Sequence, residues 1–243
     1  MPIQEVRKPL RRFRRYLVPS FAVITLLWLR PQRLAGSPLF DEITDGVGII
    51  LALFGELLRM WAWGANAQTG KWGVRTHGPY ALMQHPLYVG NFFIIFGLLV
   101  IFNNPWAYVL CGLPFVLIYR ASIGLEEERM HRRFGEDYRR YAARGVPRFI
   151  PALRNLPEAK RTSQPFSWHL ALEKEYESTL GWMAGAIVLE MYEEVLWQGM
   201  EKVRGEIIIL ASLLCTLGIL SVGLFIRKVR LQRRAASLGA ERV

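Results

Sequence analysis

Between Gly78 and Gly90 the chain reads Gly-Pro-Tyr-Ala-Leu-Met-Gln-His-Pro-Leu-Tyr-Val-Gly. Two prolines, two tyrosines and a histidine sit here between strongly apolar segments. A plain connector between two apolar helices does not need that chemistry. His85-Pro86 leads directly into an apolar run, and proline suits the first helical turn because its missing N–H is not required there. The unpaired N–H groups at such a start favour an anionic group on a ligand. The stretch is therefore expected to form one wall of a cofactor site. Glu126 and Glu127 follow later in the chain, then Phe134-Gly135, Tyr138 and Tyr141, and then Val146-Pro-Arg-Phe-Ile-Pro. Arg59, Arg120 and Arg148 lie near the ends of apolar segments and suit the orientation of a carboxylate or phosphate. Each group also has a plainer reading. The glutamates fit a solvated helix face paired with Arg132 and Arg133. Tyr138 and Tyr141 fit interfacial anchors, and Arg59 fits an arginine snorkelling to the interface. His77, His131 and His169 have no partners at metal-ligand spacing, so no metal site is expected.

The elements that must position these groups are membrane helices. Hydrophobic residues make up 52% of the chain and come in blocks, which points to helices apolar all round. The net charge of +11 would suggest nucleic acid in a soluble protein. Here the basic residues gather at the ends of apolar blocks, as in membrane proteins, so no nucleic-acid partner is expected. Cys111 and Cys215 lie inside apolar segments, which argues against a disulfide framework.

The fold class expected is all-α, a polytopic transmembrane bundle of about six spans with a cytoplasmic cofactor-binding cap. Residues 1–45 hold a basic collar, Arg7 to Arg15, and a first span from Tyr16 to Leu29. Further spans are expected over Gly46–Trp63, Leu87–Phe102 and Trp106–Tyr119, the last two joined by an Asn103-Asn104-Pro105 turn. Residues 46–151 form the expected core, and 152–168 read as a polar linker. Residues 152–243 complete the chain with a helical hairpin, its spans near 179–200 and 206–226. Arg227 to Arg234 place the C-terminus with the N-terminus in the cytoplasm. Parity then requires 179–200 to cross, despite Glu190, Glu193 and Glu194.

Leu58-Arg59-x-Trp-Ala, Gly78-Pro-Tyr, His85-Pro-x-Tyr-x-Gly, Glu126-Glu127, Phe134-Gly-x-x-Tyr-x-x-Tyr and Val146-Pro-Arg-Phe-Ile-Pro follow one another along the chain. That order resembles the isoprenylcysteine carboxyl methyltransferase and phospholipid methyltransferase families of integral membrane proteins, over about Gly46 to Pro151. The resemblance implies an S-adenosylmethionine-dependent methyltransferase acting on a lipid or lipidated small-molecule acceptor, a carboxylate or an amine. Cofactor contacts carried over are His85, Pro86, Tyr88, Gly90, Glu126 and Glu127. Gly78 and Tyr80 belong to the approach loop, and Tyr138 and Tyr141 to the cap. Many members of the family carry arginine where this chain has Ala81 and Gln84. Two alternatives stay open: a sterol-reductase-like membrane oxidoreductase using NADPH, and a non-enzymatic membrane protein that binds anionic lipids. In each case the basic face would meet anionic lipids of the bilayer. The membrane implied is the plasma membrane in a bacterium or the endoplasmic reticulum in a eukaryote.

Overall fold

The computed structural model describes residues 28–32, 37–69, 73–161 and 165–240. Among the described residues every regular element is helical. The expected N-terminal collar and most of the first span lie outside the described residues. The chain divides into two compact units after Leu172.

In the first unit, α1 (Pro38–Gly64) opens with proline in its first turn and Asp41 near its positive end. After a short α2 (Pro79–Leu82), α3 runs over Pro86–Phe102 and packs antiparallel along α1. Glycine makes that packing possible. A Cβ added at Gly55 would lie 2.4 Å from the Gly90 carbonyl oxygen, and one at Gly97 would lie 2.4 Å from that of Gly48. Small residues at two levels thus bring the backbones together, as is common where packing rather than the hydrophobic effect holds helices.

Asn103 ends α3 in the left-handed region at φ 43°. The Asn104 side chain accepts the Trp106 N–H at 2.8 Å and caps the next helix, so the expected turn is formed. Helix α4 then runs without a break over Pro105–Phe134, with one wide π turn at Tyr108–Gly112. The expected span ended at Tyr119, where apolar residues give way to charged ones. The helix continues because Glu, Arg and Met are good helix formers, so polarity changes while backbone conformation does not. Its last turn holds His131, Arg132 and Arg133, which complement the helix dipole. Helix α5 (Glu136–Ala143) follows. Residues 152–168, expected as an irregular linker, instead contain a 3-10 turn at Leu153–Asn155 and α6 (Leu156–Lys160). Asn155 donates to the Ala81 carbonyl at 3.0 Å and Ala159 is buried, so this segment belongs to the unit's packing.

Helix α7 (Trp168–Gln198) begins in the first unit and leads into the second, where Gly199 turns the chain into α8 (Met200–Ala240). Lys228 Nζ reaches Glu177 Oε1 at 2.7 Å, so α7 and α8 lie side by side as a hairpin. Ser212 and Thr216 donate to carbonyls one turn back, at 2.7 and 2.8 Å, which satisfies their hydroxyls inside an apolar helix.

Two described helices are long and apolar enough to cross a membrane, Pro105–Phe134 and Met200–Arg230. About six were expected, and the first of them, over Tyr16–Leu29, lies almost wholly outside the described residues. The difference has physical causes. Helix α1 carries Asp45, Glu56 and Arg59 within its length, and α7 carries Glu190, Glu193 and Glu194. Helix α3 is apolar but only 17 residues long.

Because the glycine contacts meet backbone, Gly55→Val is expected to lower the thermal midpoint in detergent, at about 1–3 kcal/mol. Gly46 has nothing within 4 Å of an added Cβ. Gly46→Ala should leave the midpoint unchanged or raise it, by up to about 1 kcal/mol.

Candidate functional site

The site is built where the start of α3 meets the last third of α4. His85 occupies the position before Pro86 and is 7% exposed. Its Nε2 lies 3.1 Å from Glu127 Oε1. The other Glu127 oxygen accepts from Arg148 Nη2 at 2.9 Å. One turn into α3, the Tyr88 hydroxyl donates to Glu126 Oε2 at 2.6 Å. Successive residues on a helix point about 100° apart, so Glu126 and Glu127 reach two different partners. Glu127 is 18% exposed, whereas Arg148 is 63% exposed. The arginine therefore approaches from the solvent side and the histidine from within.

Backbone hydrogen bonds carry Arg148 to this place. Gln84 N donates to the Pro147 carbonyl at 2.8 Å, His85 N to the Arg148 carbonyl at 3.1 Å, and Ala152 N to the Leu82 carbonyl at 3.0 Å. Gln84 Nε2 adds a bond to the Val146 carbonyl at 2.6 Å. The prolines of Val146-Pro-Arg-Phe-Ile-Pro keep this segment extended, leaving its carbonyls free to accept. Gln84, which departs from the family pattern, is thus a clamp on the loop.

The tyrosines stand around this centre. The Tyr141 hydroxyl donates to the Tyr80 carbonyl at 2.8 Å, and Tyr138 packs with Tyr141 and Val146. Burial raises the Tyr80 phenol above its ordinary value of 10.0, partly offset by the hydrogen-bonded Arg75 guanidinium. Burial also raises Tyr138, and the Glu127 and Glu126 carboxylates push it further in the same direction. Tyr141 is raised most clearly by burial, then by Tyr80 and Tyr138.

Beside the polar centre lies an apolar pocket of about 450 Å³ between α3 and α4. Phe92, Phe93, Phe115 and Tyr119 form much of its wall, Phe149 to Pro151 lie along one side, and Tyr88 belongs to both pocket and polar centre. Arg120 is the charged residue in this lining. The Phe149 ring lies 6.0 Å from that of His85, which places it between the two regions.

The structure thus gathers His85, Pro86, Tyr88, Glu126, Glu127 and Arg148. Tyr80, Tyr138 and Tyr141 form an adjoining layer. Gly78 precedes α2: its φ of 61° favours glycine, and an added Cβ would meet the Ala65 Cβ at 2.6 Å. Gly90 faces α1, where an added Cβ would lie 2.5 Å from Arg59 Cγ. Its packing role accounts for it. Arg59, expected either to orient an acceptor or to snorkel to the interface, pairs across the helices with Asn91 Oδ1. The partner on α3 draws the guanidinium inward. Asn91, Arg75 and Phe149 were given no role from sequence. Phe149 lies inside a recognised motif, and that is the one signal that could have found it.

With this geometry in hand, the comparisons with known proteins become specific. Residues 44–137 match the phospholipid methyltransferase family model. The matched segment holds α3 and the paired glutamates, and the resemblance read from the motifs is borne out. The chain is 32% identical over 135 residues to the protein-S-isoprenylcysteine O-methyltransferase of Rattus norvegicus, covering 49% of this chain and 46% of that one. A probable protein-S-isoprenylcysteine O-methyltransferase of Oryza sativa subsp. indica is 26% identical over 149 residues, covering 54% and 78%. The nickel-cobalt-cadmium resistance protein NccN of Alcaligenes xylosoxydans xylosoxydans is 35% identical over 111 residues, covering 44% and 48%. The matches to the rat protein and to NccN span about half the length of those relatives. No solved structure matches. Among the described residues, no three His, Cys, Asp or Glu side chains gather as a metal-ligand group.

The raised tyrosines set a pH dependence. A folded-state pKa above the unfolded value contributes stability that is complete below the unfolded pKa and is lost as pH rises toward the folded one. The layer around Tyr141 should therefore hold constant stability up to pH about 10 and weaken above it. Absorbance titration at 295 nm is expected to show a late-ionising phenol class. Tyr141→Phe should remove one member of that class.

Proposed function

We propose that this chain is an S-adenosylmethionine-dependent methyltransferase acting at the cytoplasmic face of a membrane on an amphiphilic lipid or lipidated acceptor. The observation that carries the reading is Tyr88. Its hydroxyl is held by Glu126 while its ring lines an apolar pocket, so a polar donor site and a lipid-sized space share one wall.

The residues present fit the donor. S-Adenosylmethionine has a cationic sulfonium, an amine and ribose hydroxyls, and two adjacent, partly buried carboxylates suit all three. The first turn of α3 suits the donor's carboxylate, and the rings of Tyr88 and Phe149 can flank a cation or stack on adenine. His85, Pro86, Glu126 and Glu127 would hold it, with Tyr80, Tyr138 and Tyr141 excluding water. When bound, the cofactor supplies an electrophilic methyl group. Transfer to a nucleophile in line with the sulfonium bond needs no covalent enzyme intermediate, so the chain's task is positioning and desolvation.

The pocket suits the acceptor's apolar part. Of the three arginines expected to orient its head, Arg59 is drawn to Asn91 and Arg148 to Glu127. Arg120 remains at the pocket lining. A carboxylate acceptor is already ionised at neutral pH and requires orientation rather than a base, which is what a guanidinium at the rim provides.

Calorimetry on the detergent-purified protein tests the donor site. S-Adenosylmethionine or its demethylated product should bind, and Glu127→Gln should weaken binding about tenfold or more, as expected for loss of a charge-assisted contact. Glu127→Gln keeps the shape of the side chain, and an unchanged elution profile would show that it folds. Unaltered affinity in the folded variant, or binding of NADPH in place of the methyl donor, would overturn the reading.

A further inference from the structure

The segment from Phe149 to Leu156 has two faces with opposite duties. Inward, Phe149, Ile150 and Pro151 line the apolar pocket. Ala152 N bonds the Leu82 carbonyl, and Asn155 bonds the Ala81 carbonyl, so the backbone is fixed on that side. Outward, Ile150 is 78% exposed, Leu153 is 70% exposed and Leu156 is also exposed. Exposed large aliphatic side chains on a hydrogen-bonded segment are not the result of a loose loop.

The level at which this segment sits is set by α4. Tyr119 and Arg120 line the same pocket as Ile150, and there the apolar run of α4 gives way to charged residues. The segment is therefore held where hydrocarbon would end and headgroups begin. Arg154 follows directly after Leu153, is exposed, and makes no ion pair among the described residues. Arg120 is likewise exposed and without an ion pair among them. Two cations beside an aliphatic ridge match a leaflet whose phosphates are negatively charged and whose interior is apolar.

We propose that Ile150, Leu153 and Leu156 insert into the headgroup–acyl boundary of an anionic leaflet, with Arg154 and Arg120 on its phosphates. The ridge is then a membrane-docking surface, and Ile150 joins it to the pocket. Because Ile150 borders both, this wall of the pocket faces lipid rather than water. This rests on the bilayer setting of the proposed function and not on methyl transfer.

The test places a nitroxide on the full chain in vesicles of phosphatidylcholine and phosphatidylglycerol. Cys111→Ser and Cys215→Ser remove the two native cysteines. Single labels at Ile150→Cys and Leu153→Cys are compared with Glu136→Cys on exposed α5 and Leu117→Cys on the apolar part of α4. Collision with oxygen relative to a water-soluble nickel chelate reports immersion. At both test sites the ratio should be several-fold above that at Glu136→Cys, and it should fall when phosphatidylglycerol is omitted. A ratio equal to that at Glu136→Cys would overturn the proposal, as would indifference to the anionic lipid. Low collision with both reagents would mean burial in a protein contact and would also overturn it. None of these readouts depends on catalysis, so failure here leaves the methyltransferase reading standing, and failure of donor binding leaves this one.

Discussion

Glu127 is the interaction on which the rest depends. Its carboxylate joins three parts of the chain that are distant in sequence: the start of α3 through His85, the last third of α4 through its own backbone, and the 146–151 loop through Arg148. A partly buried carboxylate left without partners is costly, so each partner must be delivered to within hydrogen-bond reach. That requirement explains much of the surrounding detail. Pro86 fixes where α3 begins, and the Asn103–Asn104 turn brings α4 back alongside it. Gln84 and His85 hold the loop that carries Arg148.

The same arrangement sets two contrasting environments side by side. On one side are carboxylates, a histidine and a layer of buried phenols. On the other is a pocket of aromatic and aliphatic side chains. Tyr88 and Phe149 form the partition, each touching both sides. A charged donor bound among the carboxylates would be desolvated by the phenols and the partition together, which strengthens electrostatics around a sulfonium. The glycine packing of α1 against α3 supports this from behind, by keeping the site's main helix on a rigid neighbour.

Much of this was legible in the sequence because proline, glycine and paired charges have local meaning. His85-Pro86 gave the helix start, Asn103-Asn104-Pro105 the turn, and the order of the motifs the family resemblance. What was not legible depends on neighbours. Gly90 lies inside the expected cofactor wall, and no local pattern showed that Arg59 and Gly55 from α1 fill the space where its side chain would be. Nothing in the sequence announced that α3 supplies Asn91 as a partner to Arg59. The unbroken length of α4 was not legible because hydropathy marks where apolar surface stops, and helical backbone does not stop with it. The roles of Phe149 and of the aliphatic ridge beyond it follow only from the loop's docking, which no local pattern encodes. The span count suffers from the same limit, since Glu56 and Glu193 are buried inside long helices that composition alone cannot place.

The most direct measurement supplies an isotopically labelled methyl donor to membranes containing either the unaltered chain or Glu127→Gln, and follows where the label goes. The account predicts label in an organic-extractable lipid product, released by mild base if the acceptor is a carboxylate, and its loss with the folded Glu127→Gln variant. Equal labelling with both chains, or none in the lipid fraction with the unaltered chain, would contradict it.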